Sequence, residues 1–178
     1  RDKVYLGGYI GSQRQKAAWL EEKVAVWTDA VETLAVVAVR YPQSVHAAVT
    51  ISLQAEWNYV QRVVPDSGPF FAPLEVALRT HLLPALLGLD PGDVDAELRQ
   101  LLGNGVKRGG IGIRNPVDAA PAVFDTSKRA TKHLVESLVD DDVPFNSRWH
   151  NREVSNAGAG AKGARAEDEH AFLCRRGR

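Results

Sequence analysis

The 178-residue sequence predicts a mostly α-helical bundle of four to five helices, with a short β-like N-terminal segment and a Gly-rich insert. Three observations lead there. Apolar residues recur at alternating spacings of three and four through most of the first 140 positions, which lays one apolar stripe along each helix. Pro and Gly separate these stripes. Helix-start signals stand in front of several of them, as at Ser12, Asp90-Pro91 and Asn115-Pro116.

The run 3–10 (KVYLGGYI) is β-branched and aromatic around a Gly pair and predicts a short strand or one arm of a tight hairpin. Ser12 with Gln15 reads as a capping box. Behind it Leu20, Val24, Trp27, Val31, Leu34, Ala38 and Tyr41 form one stripe, so a helix is expected from Gln13 to Arg40. Pro42 ends it, and a second stripe follows with Val45, Val49, Leu53, Trp57, Val60 and Val64. The loop 65–69 (PDSGP) leads to a third helix with Phe71, Leu74, Leu78 and Leu82, which Pro84 should kink or stop before Gly88. Asp90 as N-cap with Pro91 at the first helical position predicts a short fourth helix ending at Gly103. Residues 103–114 (GNGVKRGGIGIR) hold five glycines and break the pattern. A fifth helix should start at Asn115-Pro116 and fade at Asp140–Asp142.

Residues 1–142 are therefore read as one helical domain. The remainder, 143–178, is Ala-, Gly- and charge-rich, and is expected to be disordered, an incomplete linker, or a helix supported by sequence outside the chain. Absence of any methionine and the immediate strand-like opening fit a segment of a longer open reading frame.

Composition narrows the function classes. Basic and acidic residues tie at 22 each, so there is no overall field toward nucleic acid or membrane. No apolar run is expected to reach the ~20 residues of a bilayer span, and no membrane partner is expected. The single cysteine, Cys174, excludes an internal disulfide and a cysteine-based zinc site. Without a signal-peptide pattern, an intracellular location, nuclear or cytoplasmic rather than secreted, is expected.

Candidate chemistry is sparse. Residues 158–163 (GAGAKG) match G-x-G-x-x-G but lack both a preceding strand and the acidic residue ~20 positions on that a dinucleotide site needs. The acids Asp90, Asp93, Asp95 and Glu97 lack EF-hand spacing and read as complements of a helix N-terminus. The five histidines show no i, i+4 pair among themselves, so no metal site is expected. There is no nucleophile elbow. No catalytic residues are assigned. Trp19, Trp27 and Trp57 read as core, whereas Trp149, between Arg148 and His150, caps the bundle or stacks on a base.

Charge is uneven along the chain. Residues 1–103 carry 9 basic and 12 acidic side chains. Residues 104–133 carry Lys107, Arg108, Arg114, Lys128, Arg129 and Lys132 against only Asp118 and Asp125. These six basic residues are the candidate nucleic-acid contacts, with the glycines letting backbone amides approach phosphates.

Three segments occur in order: 5–12 (YLGGYIGS), then Leu53-Gln54-x-Glu56-Trp57-x-Tyr59-x-Gln61-Arg62-Val63-x-Pro65-Asp66, then Gly109-Gly110-Ile111-Gly112-Ile113-x-Asn115-Pro116. Together they resemble the region just after the polymerase core in reverse-transcriptase-like proteins of non-LTR (LINE-like) retroelements, over roughly residues 3–140. The resemblance implies a thumb and connecting region that holds an RNA or DNA primer–template duplex. Tyr5, Leu6, Gly7 and Gly8 would match the palm–thumb junction, and the partner within the parent chain would be an upstream palm domain. The metal-binding aspartates of the family lie upstream in a Tyr/Phe-x-Asp-Asp motif that this chain lacks. The segment itself would then need no cofactor, while the parent RNA-directed DNA polymerase would use magnesium. A helical interaction or scaffold module, or a decayed element fragment without activity, is the alternative.

Overall fold

The computed structural model describes residues 3–5, 8–140 and 142–176. Leu6 and Gly7 of the expected junction lie outside the described residues, as does Asp141. The protein is a mostly α-helical bundle. Strands β1 (Lys3–Tyr5) and β2 (Gly8–Ile10) pair antiparallel, with Tyr5 opposite Gly8 and Lys3 opposite Ile10, so the N-terminal run is a hairpin. Helices follow as α1 (Gln13–Ala38), α2 (42–63), α3 (Gly68–Leu87), α4 (Ala96–Gly103), α5 (Pro116–Val139) and α6 (Ser147–Arg176). Two compact units result, Arg1–Pro121 and Ala122–Arg178, and the division falls within α5.

In the first unit Ser12 caps α1, its Oγ accepting from the Gln15 amide. Leu20, Val24, Trp27 and Val31 are buried as the stripe requires. Beyond Val31 the buried positions are Ala35 and Ala38, with Leu34 only half-buried. Two alanines let neighbouring backbones come close there, a fit that a rule built on large side chains passes over. The helix ends two residues before the expected Arg40.

Most of the packing of α1 goes to α3 rather than to α2. Trp27 joins the three. Its ring stacks on Phe71 at 6.1 Å and meets Trp57 edge-on at 6.5 Å, and its Nε1–H donates to Glu56 Oε2 at 2.9 Å. The indole thus meets an aromatic ring from each of the two neighbouring helices, and its one polar atom is satisfied.

Helix α2 is not uniformly α-helical. Pro42 occupies its first turn, and between Pro42–Ala47 and Gln54–Val63 the stretch Ala48–Leu53 is π-helical. Helix α3 repeats the device at Leu78–Leu82, two residues before Pro84. The wider turn gives room for the proline ring, which would otherwise clash with the carbonyl four residues back. The chain therefore passes Pro84 and stops at Gly88, in the left-handed conformation at φ 68°. With 20 residues and a mean hydropathy of 1.3, α3 meets the length and composition of a bilayer span, which corrects the expectation that no run comes near it. Leu74, Ala77, Leu78, Leu82 and Leu83 are buried in the core, and Glu75 and Arg79 form polar contacts from the same helix.

The fourth helix starts later than expected. Asp90–Asp93 closes as a turn, with the Asp93 amide donating to the Asp90 carbonyl. The N-cap is Asp95, whose Oδ1 accepts from the Leu98 amide at 2.7 Å. Pro91 opens the turn instead of a helix.

In the second unit α5 continues to Val139 and α6 runs for 30 residues, capped by Asn146, whose Oδ1 accepts from the Trp149 amide. Residues 147–176 take the helical alternative of the expectation, despite Gly158, Gly160 and Gly163 in the middle. His133 holds the unit together. It is buried, its ring lies 5.7 Å from Phe145 and 4.1 Å from Trp149, and its Nε2 accepts from the Asn146 amide. These contacts tie the second half of α5 to the start of α6, so that half-helix belongs with α6.

Candidate nucleic-acid interface

The Gly-rich stretch between α4 and α5 is an ordered loop that folds back on the end of α4. Ile111 N–H donates to the Leu102 carbonyl and Gly112 N–H to the Asn104 carbonyl, while Val106–Arg108 forms a single 3₁₀ turn. Gly110 is there because nothing else fits. A Cβ at that position would overlap the Asn104 carbonyl oxygen and sit 2.5 Å from the Leu101 carbonyl oxygen.

Four polar side chains fasten the loop carbonyl by carbonyl. His46 Nε2 lies 2.7 Å from the Ile111 oxygen, and since a carbonyl only accepts, that nitrogen carries the proton. Gln54 Nε2 donates to the Gly112 oxygen at 3.3 Å, and its Oε1 accepts from the Arg114 amide at 3.3 Å. Arg99 Nη1 donates to the Ile113 oxygen at 2.8 Å. Gln61 Nε2 donates to the Pro116 oxygen at 2.7 Å from a fully buried position. Arg99 is itself held by Glu75, with Nε–Oε1 at 2.6 Å and Nη2–Oε2 at 2.7 Å.

The register of α2 explains why three of these residues align. Gln54 and Gln61 are seven apart, about two turns of α-helix, so they share a face. His46 is eight before Gln54, which in an unbroken α-helix would set it about 80° round the axis. The π-helical turn at Ala48–Leu53 spends an extra residue and brings His46 back over Gln54. Two of the motif segments singled out in the sequence, 53–66 and 109–116, are thereby joined directly. His46 and Arg99 were not legible as partners of the loop. Gln61 carried the one available signal, a polar residue beside Val60 on the buried side of the stripe.

The six basic candidates do not form one cluster within a unit. Lys107, Arg108 and Arg114 belong to the first unit and Lys128, Arg129 and Lys132 to the second. Lys107 is exposed on the 3₁₀ turn, whereas Arg108 and Arg114 are half-buried and engaged. Arg129 pairs with Asp125 at 3.0 Å and Lys132 with Glu136 at 3.7 Å, each one turn along α5. Both pairs are exposed, so each is worth little to stability and the cations remain near the surface. The glycine amides are another correction. N–H groups of Arg108, Gly109, Gly110 and Gly112 donate within the loop and that of Ile111 donates to the end of α4, so these amides are not open to phosphates. Tyr5 and Gly8 face each other across the hairpin, and Gly8 is buried.

Among the described residues, no three His, Cys, Asp or Glu side chains converge to hold a metal ion. His170 and Cys174, one helical turn apart, bring Nε2 and Sγ to 3.6 Å, a mixed pair that a search for paired histidines passes over. Comparison of the chain with protein-family models, curated proteins and solved structures gave no match.

Proposed function

We propose that this chain is a non-catalytic helical segment of a reverse-transcriptase-like retroelement protein, and that it helps hold a primer–template duplex through the basic turn of its Gly-rich loop. The observation that carries the reading is the fastening of that loop. Four carbonyls between Ile111 and Pro116 are fixed by His46, Gln54, Arg99 and Gln61, and the fixed loop carries Lys107 exposed on its turn. A cation on a rigid support loses less conformational entropy on meeting a phosphate than one on a mobile loop. Side-chain charge, not backbone amides, then supplies the attraction. The chemistry of polymerisation, with its magnesium, would belong to a palm domain in the parent chain.

Anisotropy of a labelled RNA–DNA duplex tests this reading. Binding should be micromolar or weaker, independent of sequence, and should fall steeply as salt rises from about 50 to 200 mM. Lys107→Glu should weaken it strongly, and Lys23→Glu should leave it nearly unchanged. No salt-dependent binding at all would favour the helical interaction module instead. That second reading has its own support in Val36, Val39 and Ile51, each more than three-quarters exposed in the first unit.

A further inference from the structure

We propose that the aromatic cluster joining α5 to α6 is a stacking platform for an unpaired base of single-stranded nucleic acid. Phe145 and Trp149 both lean on the buried His133 ring, and each keeps about half of its surface in water, 51% and 49% exposed. Packing of α5 on α6 accounts for the buried His133 ring but leaves the outer faces of the cluster unused. Two large rings remain half solvated, and two buried nitrogens, His133 Nδ1 and His150 Nδ1, have no hydrogen-bond partner. The Asn146 amide donates to His133 Nε2, so in the neutral ring the proton sits on Nδ1, where the burial is uncompensated. A planar ligand laid on the outer face of Trp149 would bury apolar area that the fold leaves open.

Charge selects the kind of planar ligand. Arg152 lies three residues beyond Trp149 and four beyond Arg148, so on α6 Arg152 neighbours the indole and Arg148 lies beside Arg152 on the same side, and both arginines are exposed. Exposed aromatic faces beside cations that track a backbone are the recognition pattern for single strands, whose bases are free to stack. A duplex offers no such base along its length. The acidic turn at Asp140 and Asp142 opposes phosphate nearby, so stacking rather than charge should dominate and the salt dependence should be shallow. This platform belongs to the second unit and does not rest on the duplex reading.

The test uses the full chain and fluorescein-labelled 12-mers of oligo(dT) and oligo(rU), followed by anisotropy, with thermal melts as the folding control. Wild type should bind, Trp149→Ala should weaken binding about tenfold, and Trp149→Phe should keep most of it. Arg148→Glu with Arg152→Glu, at exposed positions, should also weaken it severalfold and serves as the decisive variant if Trp149→Ala lowers the melting temperature. Lys23→Glu, at an exposed position of α1 in neither proposed site, should leave single-strand binding unchanged. Wild type that binds neither oligomer overturns the platform, as does unchanged binding in the folded Trp149→Ala or the double arginine variant. Self-association that Trp149→Ala abolishes, without oligomer binding, would overturn it in favour of a protein contact.

Discussion

Arg99 and Glu75 form a two-pronged ion pair at 2.6 and 2.7 Å, with side chains 6% and 14% exposed, and Arg99 extends from that pair to the Ile113 carbonyl. The guanidinium thus links α3, α4 and the Gly-rich loop. Its planar fork suits this better than a lysine ammonium, because it can satisfy two carboxylate oxygens and a carbonyl at once.

Removing one member of that pair should expose the cost of the other. Glu75→Ala leaves a guanidinium buried without its counter-charge and should destabilise the first unit by about 3–5 kcal/mol. Replacing both, as Glu75→Leu with Arg99→Met, should recover much of the loss in α3–α4 packing. The loop would still lose its hold on Ile113. Denaturant titrations of the three variants give the comparison, and a double variant no better than Glu75→Ala would contradict it.

Gly110→Ala should be far more damaging than Gly105→Ala, although the two lie in the same loop. The added methyl at Gly110 meets the backbone of Asn104 and Leu101, which cannot move without breaking the Ile111–Leu102 and Gly112–Asn104 hydrogen bonds. Gly105 has open space and an ordinary φ of −64°. Alanine there should be neutral or stabilising by up to about 1 kcal/mol. Melting temperatures of the two variants provide the check.

How far the sequence could be read depended on what each rule assumes. The α1 stripe from Leu20 to Val31, the Ser12 cap and the Asn115-Pro116 start were legible because each is a local rule with an ordinary helix behind it. The π-helical turns at Ala48–Leu53 and Leu78–Leu82 were not, since periodicity reasoning fixes the rotation per residue. That same blind spot hid the alignment of His46 with Gln54. Asp90-Pro91 misled because it carries the chemistry of a helix start and of a turn alike, and only the amide of Leu98 decides for Asp95. The basic residues were legible as a local excess of charge. Their partition between two units was not, because α5 runs unbroken through the division.

Trp27 should be among the costliest residues to truncate. Trp27→Ala removes a ring packed on Phe71 and Trp57 and should cost about 3–5 kcal/mol. Trp27→Phe keeps most of the apolar contact but deletes the donor to Glu56 Oε2. Glu56 is largely in water and can be solvated there, so the polar part of the loss should stay near 1 kcal/mol. Chemical denaturation of both variants would separate packing from hydrogen bonding. A Phe variant as unstable as the Ala variant would place the weight on the hydrogen bond.

The middle of α6 offers the opposite kind of change. Gly158, Gly160 and Gly163 sit within the helix, and a Cβ at any of the three meets nothing within 4 Å. Their backbones are already helical, so alanine needs no rearrangement, and each substitution should add about 0.5–1 kcal/mol by reducing the freedom of the unfolded chain. Gly158→Ala with Gly160→Ala and Gly163→Ala should therefore raise both the helical circular-dichroism signal and the melting temperature of the second unit, roughly additively if the sites act independently. The wild-type glycines would then mark a helix whose stability comes from its ends. At one end Asn146 caps it and Trp149 packs on His133, and near the other Phe172 is buried. Deleting residues 151–176 should accordingly lower the melting temperature. A triple alanine variant with no gain in helicity, together with a deletion that leaves melting unchanged, would show that residues 151–176 do not form this helix on their own.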